Sequence, residues 1–214
     1  MTALIPIAVT LIAIQFLPDK VPAHYDFEMN ITRWGSKYET LLTGSVSLFM
    51  SAFMYAMARF AAKQENGESN QKVMIISGVI LNLFFTAMTA GSLALDFRAV
   101  KGDEVNGDVL MKIIFICMGL TLAVVGNFMP KCKLNSVIGL RTSWSMANED
   151  VWFKCQRFGG ILLILCGIAM AILSAVLERT IAVFAAFASV TAVMLTASII
   201  GSKLIYDKTE KNRQ

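Results

Sequence analysis

The chain has 214 residues, of which 56% are hydrophobic and 16% charged, with a formal net charge of +4 and a mean hydropathy of +0.63. That balance is too apolar for a water-soluble domain of this length, so length cannot be read as a count of soluble domains. The positive charge lies in the loops between apolar runs, where membrane topology places it, and asks for no direct nucleic-acid partner. The four cysteines lack a C-x-x-C spacing and there is one histidine, so we read neither a disulfide framework nor a zinc set.

Six uncharged runs cover residues 1–17, 40–58, 73–95, 113–130, 158–177 and 180–202. A hydrocarbon core of about 30 Å needs about 20 helical residues, which the six runs reach or nearly reach, the first being marginal. That run has no basic residue ahead of it and no small-residue cleavage site after it, so it reads as a retained span rather than a secretory signal. Continuous apolar runs without period-two alternation predict helices and not a barrel. The expected fold is an all-α membrane protein, a six-transmembrane-helix bundle in a lipid bilayer with both termini on one side. Twelve of the nineteen Lys and Arg residues fall on the side of the termini and seven on the other, which predicts cytoplasmic termini. Residues 1–58 then form a two-span unit with outer loop 18–39, and residues 59–214 a four-span core with a cytoplasmic loop at 130–160.

In the outer loop, LPDKVPAHYDFEMNITRWGSKYE, Pro18 and Pro22 bar a helix and hold their neighbours extended. His24, Asp26 and Glu28 alternate, which on an extended segment puts three ligand-type side chains on one face. His24 is thereby the single metal candidate, set against local hydrogen bonds on a solvated acidic edge. Gly35 permits a turn, and Arg33, Trp34 and Lys37 fit interfacial anchors at the start of the second span.

Gly44, Ser47 and Ser51 in the second span, and Ala87 with Gly91 in the third, predict close helix contact. Asn82, Thr86 and Thr89 form a polar stripe that glues helices or, alternatively, lines a path. No Asp, Glu, Lys, Arg or His lies inside any of these runs, which counts against an ion-coupled pump. Asp96 and Arg98 mark the outer end of the third span, and Gly102 and Gly107 suggest turns beyond it.

The longest polar interval, residues 130–160, carries Lys131 and Lys133 at the boundary and Gly139 as a turn. Arg141 stands between apolar residues, where its planar fork suits a carbonyl, carboxylate or phosphate, or snorkels to headgroups. Asn148 ahead of Glu149 and Asp150 is a helix start. Val151, Cys155 and Phe158 recur at helical spacing opposite Lys154 and Arg157, which predicts an amphipathic interfacial helix that bends at Gly159–Gly160 before the fifth span. Glu178 and Arg179 alone join the last two spans. In the sixth, Ala185 with Ser189 and Ala188 with Ala192 repeat the small-residue pattern, suited to internal packing or to dimerisation.

The loop NSVIGLRTSWSMANEDVW resembles the signature of the SdpI family of bacterial membrane proteins, through Asn135, Gly139, Arg141, Thr142, Trp144, Glu149, Asp150, Val151 and Trp152. The front segment LPDKVPAHYDFEMNITRWGSK is similar to the domain of unknown function that often precedes the SdpI core, through Pro22, His24, Trp34, Ser36 and Lys37. Ser143 replaces a common proline, and Glu28 or Met29 a common glycine, so local turns differ.

The resemblance implies a multi-pass protein of the bacterial cytoplasmic (inner) membrane that confers immunity to a secreted killing peptide, with no cofactor. It also implies a receptor role in which a soluble transcriptional repressor is held at the membrane. On this reading Pro22, His24, Asp26, Arg33, Trp34 and Lys37 face the peptide toxin. Asn135, Gly139, Arg141, Thr142, Trp144, Asn148, Glu149 and Trp152 face the cytoplasmic partner. The residues themselves offer no nucleophile with an activating base, so an enzyme is not expected. A small-molecule or peptide transporter or channel is the alternative.

Overall fold

The computed structural model describes residues 4–26, 30–64, 67–102 and 107–212. Helix α1 (Ile5–Ala13) leads into an antiparallel hairpin of β1 (Lys20–Tyr25) and β2 (Ile31–Ser36), and four residues of 3-10 helix follow. Helices α2 (Leu41–Ala61), α3 (Gly67–Val100), α4 (Gly107–Phe128), α5 (Glu149–Val176) and α6 (Thr180–Lys211) complete the chain, with the loop between α4 and α5 largely without regular structure.

Among the described residues, five helices are long and apolar enough to cross a membrane, and α1 is not one of them. Nine helical residues reach only about 14 Å at 1.5 Å each. The end of the first uncharged run seats the hairpin: buried Leu17, with Val21 of β1, joins Leu93 of α3 in one apolar cluster, with Ala13 and Phe97 against it. The first of the six expected spans is therefore a short helix packed on α2 and α3. Gly44 of α2 makes room for it, since a Cβ there would lie 3.1 Å from Ile7 Cα.

Helices α4 and α5 lie closest together. A Cβ on Gly126 would sit 2.8 Å from Gly160 O, and one on Gly160 would sit 2.7 Å from Gly126 O. Seven residues along each helix the pattern repeats, where Cβ atoms on Gly119 and Gly167 would each land on the other's carbonyl oxygen. Antiparallel helices with glycines spaced by seven face each other at both sites, so their backbones touch and dispersion contacts are dense. Gly160 is consequently a packing residue. The expected interfacial helix and the fifth span form one continuous helix, with residues 149–158 as the opening turns of α5.

Across α2 and α3, Ser47 Oγ donates to Asn82 Oδ1 at 3.1 Å, a polar bond between buried groups. The stripe's other members turn inward to their own helix, Thr86 to Asn82 O and Thr89 to Phe85 O. Helix α6 packs on α5, and its Phe184 and Phe187 rings meet Phe115 of α4. Its small residues Ala185, Ala188, Ser189 and Ala192 are exposed, so that face makes no internal contact of the kind expected.

Candidate binding faces at the two ends of the bundle

The hairpin sits at the end of the bundle where α3 finishes, and Glu39 organises its base. Arg33 Nη1 and Nη2 donate to the Glu39 carboxylate at 3.2 and 2.7 Å. Glu39 also accepts from Ser36 N–H at 3.2 Å, closing a capping box with the Ser36 hydroxyl. A Cβ on Gly35 would strike the same carboxylate, so Gly35 is set by close approach within β2 and not by the turn expected of it. Lys37 ties the hairpin's two ends, with Nζ 3.2 Å from Asp19 and 3.5 Å from Leu17 O.

Strand β1 confirms the extended reading of VPAHY, with Pro22 buried opposite Trp34. His24 is exposed, its Nδ1 2.6 Å from Thr32 Oγ1. Asp26 accepts from Asn30 N–H and from Asn30 Nδ2 at 2.8 and 3.1 Å. Glu28, the third member of the expected ligand face, lies outside the described residues. Among the described residues no three His, Cys, Asp or Glu side chains come together to hold a metal. What the hairpin presents outward is His24, Arg33 and Trp34, the last 50% exposed.

Behind it, Tyr25 packs toward the end of α3 with its hydroxyl buried and unbonded among the described residues. Burial, and secondly the nearby Asp96 carboxylate, push the Tyr25 phenol up to about 12.

At the other end, residues 132–148 form a loop pinned to four helices. Two apolar side chains, Val137 and Ile138, wedge against Ala58, Ala61 and Met74 of α2 and α3. Asn70 Oδ1 of α3 accepts from Lys133 N–H at 2.8 Å, and Gln64 beyond α2 exchanges two bonds with Ser136. Asn135 folds the turn on itself, donating to Lys133 O and Ile138 O and accepting from Val137 and Ile138 N–H.

Gly139 follows at φ 116°, a conformation that side chains rarely adopt. A Cβ there would lie 2.5 Å from Gln156 Oε1. That space is needed because Gln156, fully buried on α5, pairs with Leu140 as a backbone strand would. It accepts the Leu140 N–H at 2.8 Å and donates to Leu140 O at 3.0 Å. Ser145 closes the next turn with bonds to Leu140 O and Thr142, and Thr142 Oγ1 donates to Ser202 Oγ of α6 at 3.0 Å.

Asn148 caps α5 as expected, accepting from Val151 N–H at 3.0 Å, and its Nδ2 reaches Glu210 of α6. Trp152 is 2% exposed and donates through Nε1 to Cys132 O at 2.9 Å. Burial pushes the Cys132 thiol up to about 12, so it is an inert core group.

The expected docking residues thus divide. Asn135, Gly139, Thr142, Asn148 and Trp152 build the loop, while Arg141 and Glu149 are exposed and Trp144 is half-buried with the Lys203 ammonium 5.9 Å from its ring. Arg141 makes no side-chain bond or ion pair among the described residues. Sequence reasoning missed Gln64, Asn70, Ser145 and Gln156. The one available signal was Gln156 itself, an amide in the apolar run of α5 just before Gly159–Gly160, which has to find partners.

Residues 131–202 match the SdpI/YfhL protein family, and residues 1–48 match a domain of unknown function, DUF1648. The limits of the SdpI/YfhL match follow the geometry: it opens beside the Cys132 carbonyl that Trp152 holds and closes at Ser202, the partner of Thr142. The Immunity protein SdpI of Bacillus subtilis (strain 168) is 24% identical over 168 residues, 77% of this chain and 74% of the relative. No solved structure matches the chain. With its long apolar helices, the chain is a multi-pass membrane protein.

Proposed function

We propose that this protein is an immunity protein of the bacterial cytoplasmic membrane that protects its cell from a secreted antimicrobial peptide. The observation that carries the reading is the similarity to an immunity protein over 77% of the chain, beside the family matches at residues 1–48 and 131–202 that hold the hairpin and the loop. The relation of the two faces supports a division of labour. The hairpin, with exposed His24, Arg33 and Trp34, faces outward and meets the peptide. The loop, with Arg141 on a rigid base, faces the cytoplasm with the chain termini and docks a soluble repressor.

Short α1 and the turns after it together make the first crossing, which keeps an even number of crossings and both termini inside. The role is binding and not catalysis, and no nucleic acid is contacted directly.

The test is survival. A source strain deleted for this protein is exposed to culture supernatant of its own wild type, and membrane potential and viability are followed. Loss of potential in the deletion strain, restored by the wild-type chain and by Arg141→Ala but not by His24→Ala, is the expected pattern. Equal survival of deletion and wild-type strains in that supernatant refutes immunity, and equal loss of protection from both substitutions refutes the division. Flux of a labelled solute through the purified protein in vesicles would replace immunity by transport.

A further inference from the structure

Between helices α3 and α4 on the hairpin side lies an apolar cleft of about 360 Å³, within the ordinary size range of ligand sites. Its walls are Phe84, Met88, Leu95, Val109, Leu110 and Ile113, with Cys117 at the bottom and Arg98 as its one charged residue. Ala87 and Ala94, both exposed, floor it from α3. Asp96 and Arg98 are two residues apart and so lie about 200° apart around α3. Asp96 turns toward Tyr25 under the hairpin and leaves Arg98 in the cleft without a carboxylate partner among the described residues.

The dimensions fit one monolayer. Phe84 and Arg98 are fourteen residues apart, about 21 Å along the helix. Half of a hydrocarbon core is about 15 Å, so a guanidinium at headgroup level places the cleft floor near the bilayer midplane. Leu95 ends the uncharged run of α3, and Arg98 stands less than one turn beyond it. A ligand with an acyl chain and an anionic group at its head would fill the apolar wall and reach Arg98, whose planar fork suits a phosphate.

We propose that the α3–α4 cleft is a phospholipid site in the leaflet on the hairpin side, with the acyl chain between the helices and the phosphate on Arg98. The lipid acts as a wedge that completes the seam between α3 and α4, since α4 is otherwise committed to α5 through its glycines.

The experiment is native mass spectrometry of the purified full-length chain, titrated with phosphatidylglycerol or, as the phosphate-free counterpart, diacylglycerol. The wild type is expected to hold one phosphatidylglycerol through the removal of detergent and to hold diacylglycerol about tenfold more weakly, the loss of one charge-assisted contact. Arg98→Ala should weaken phosphatidylglycerol about tenfold without changing diacylglycerol, and Arg179→Ala, on the same side at the α5–α6 turn, should change neither. Ala94→Phe fills the cleft from an exposed position, so the fold survives, and it should abolish the retained lipid. Equal retention by wild type, Arg98→Ala and Ala94→Phe would overturn the site, as would equal binding of the two lipids by the wild type. Displacement of the lipid only by a hydrophobic peptide, with no dependence on Arg98, would also overturn it.

Discussion

Replacing Gln156 by Met keeps the length and volume of the side chain and removes both hydrogen bonds to Leu140. The N–H of Leu140 is then left beneath the loop without its partner, while its C=O keeps the Ser145 hydroxyl, and one stranded group costs about 1 to 3 kcal/mol. The helices do not depend on that contact, so the cost falls on local opening of residues 138–146 and not on the whole bundle. Even the lower figure raises the open population about fivefold. Limited proteolysis reads it directly, because trypsin cuts after Arg141 only when the loop detaches, and in the fast-reclosing regime the cleavage rate follows that population. Gln156→Met should be cut at Arg141 at least about fivefold faster than the wild type, with little change in the melting of helical signal in detergent. An unchanged cleavage rate would show that the amide does not hold the loop.

Gly139→Ala meets the same amide from the other side, with an unfavourable φ of 116° and a Cβ 2.5 Å from Gln156 Oε1, and should open the loop in the same assay. Gly167→Ala places a methyl on Gly119 O between α4 and α5; it should lower the thermal unfolding midpoint in detergent, at an overpacking cost of about 1 to 3 kcal/mol, and an unchanged midpoint would refute backbone contact there. For Tyr25 the folded phenol titrates above its unfolded value, so its contribution to hairpin stability is complete below pH 10 and is lost as pH rises toward about 12. Ultraviolet titration should find one of the four tyrosines ionising near pH 12 and lose that step in Tyr25→Phe.

Long apolar runs carried most of the architecture, because lipid-spanning helices are specified by composition over about 20 residues and need no tertiary detail. The helix start at Asn148 was legible for a similar reason, since a cap is a local device. The first run shows where composition and context part: Leu17 is apolar enough for lipid yet packs with Val21 on Leu93 under the hairpin. Glycines carried a role that sequence did not separate. Gly160 reads as a place for a bend in isolation, and only the matching seven-residue spacing in α4 reveals it as half of a helix contact. In the loop, residue types suited to recognition proved to be construction. The indole of Trp152 and the amide of Asn135 satisfy backbone groups a few residues away, a use that sequence spacing does not separate from ligand binding.

The measurement that bears most directly on the two-face account is side-selective thiol labelling. In a background with the four native cysteines replaced by serine, His24→Cys and Arg141→Cys are each exposed to a membrane-impermeant maleimide in intact cells and again after permeabilisation. Both positions are exposed, so labelling reports sidedness and not burial. The account predicts that His24→Cys reacts in intact cells and Arg141→Cys only after permeabilisation. Reaction of both positions under the same condition would contradict it.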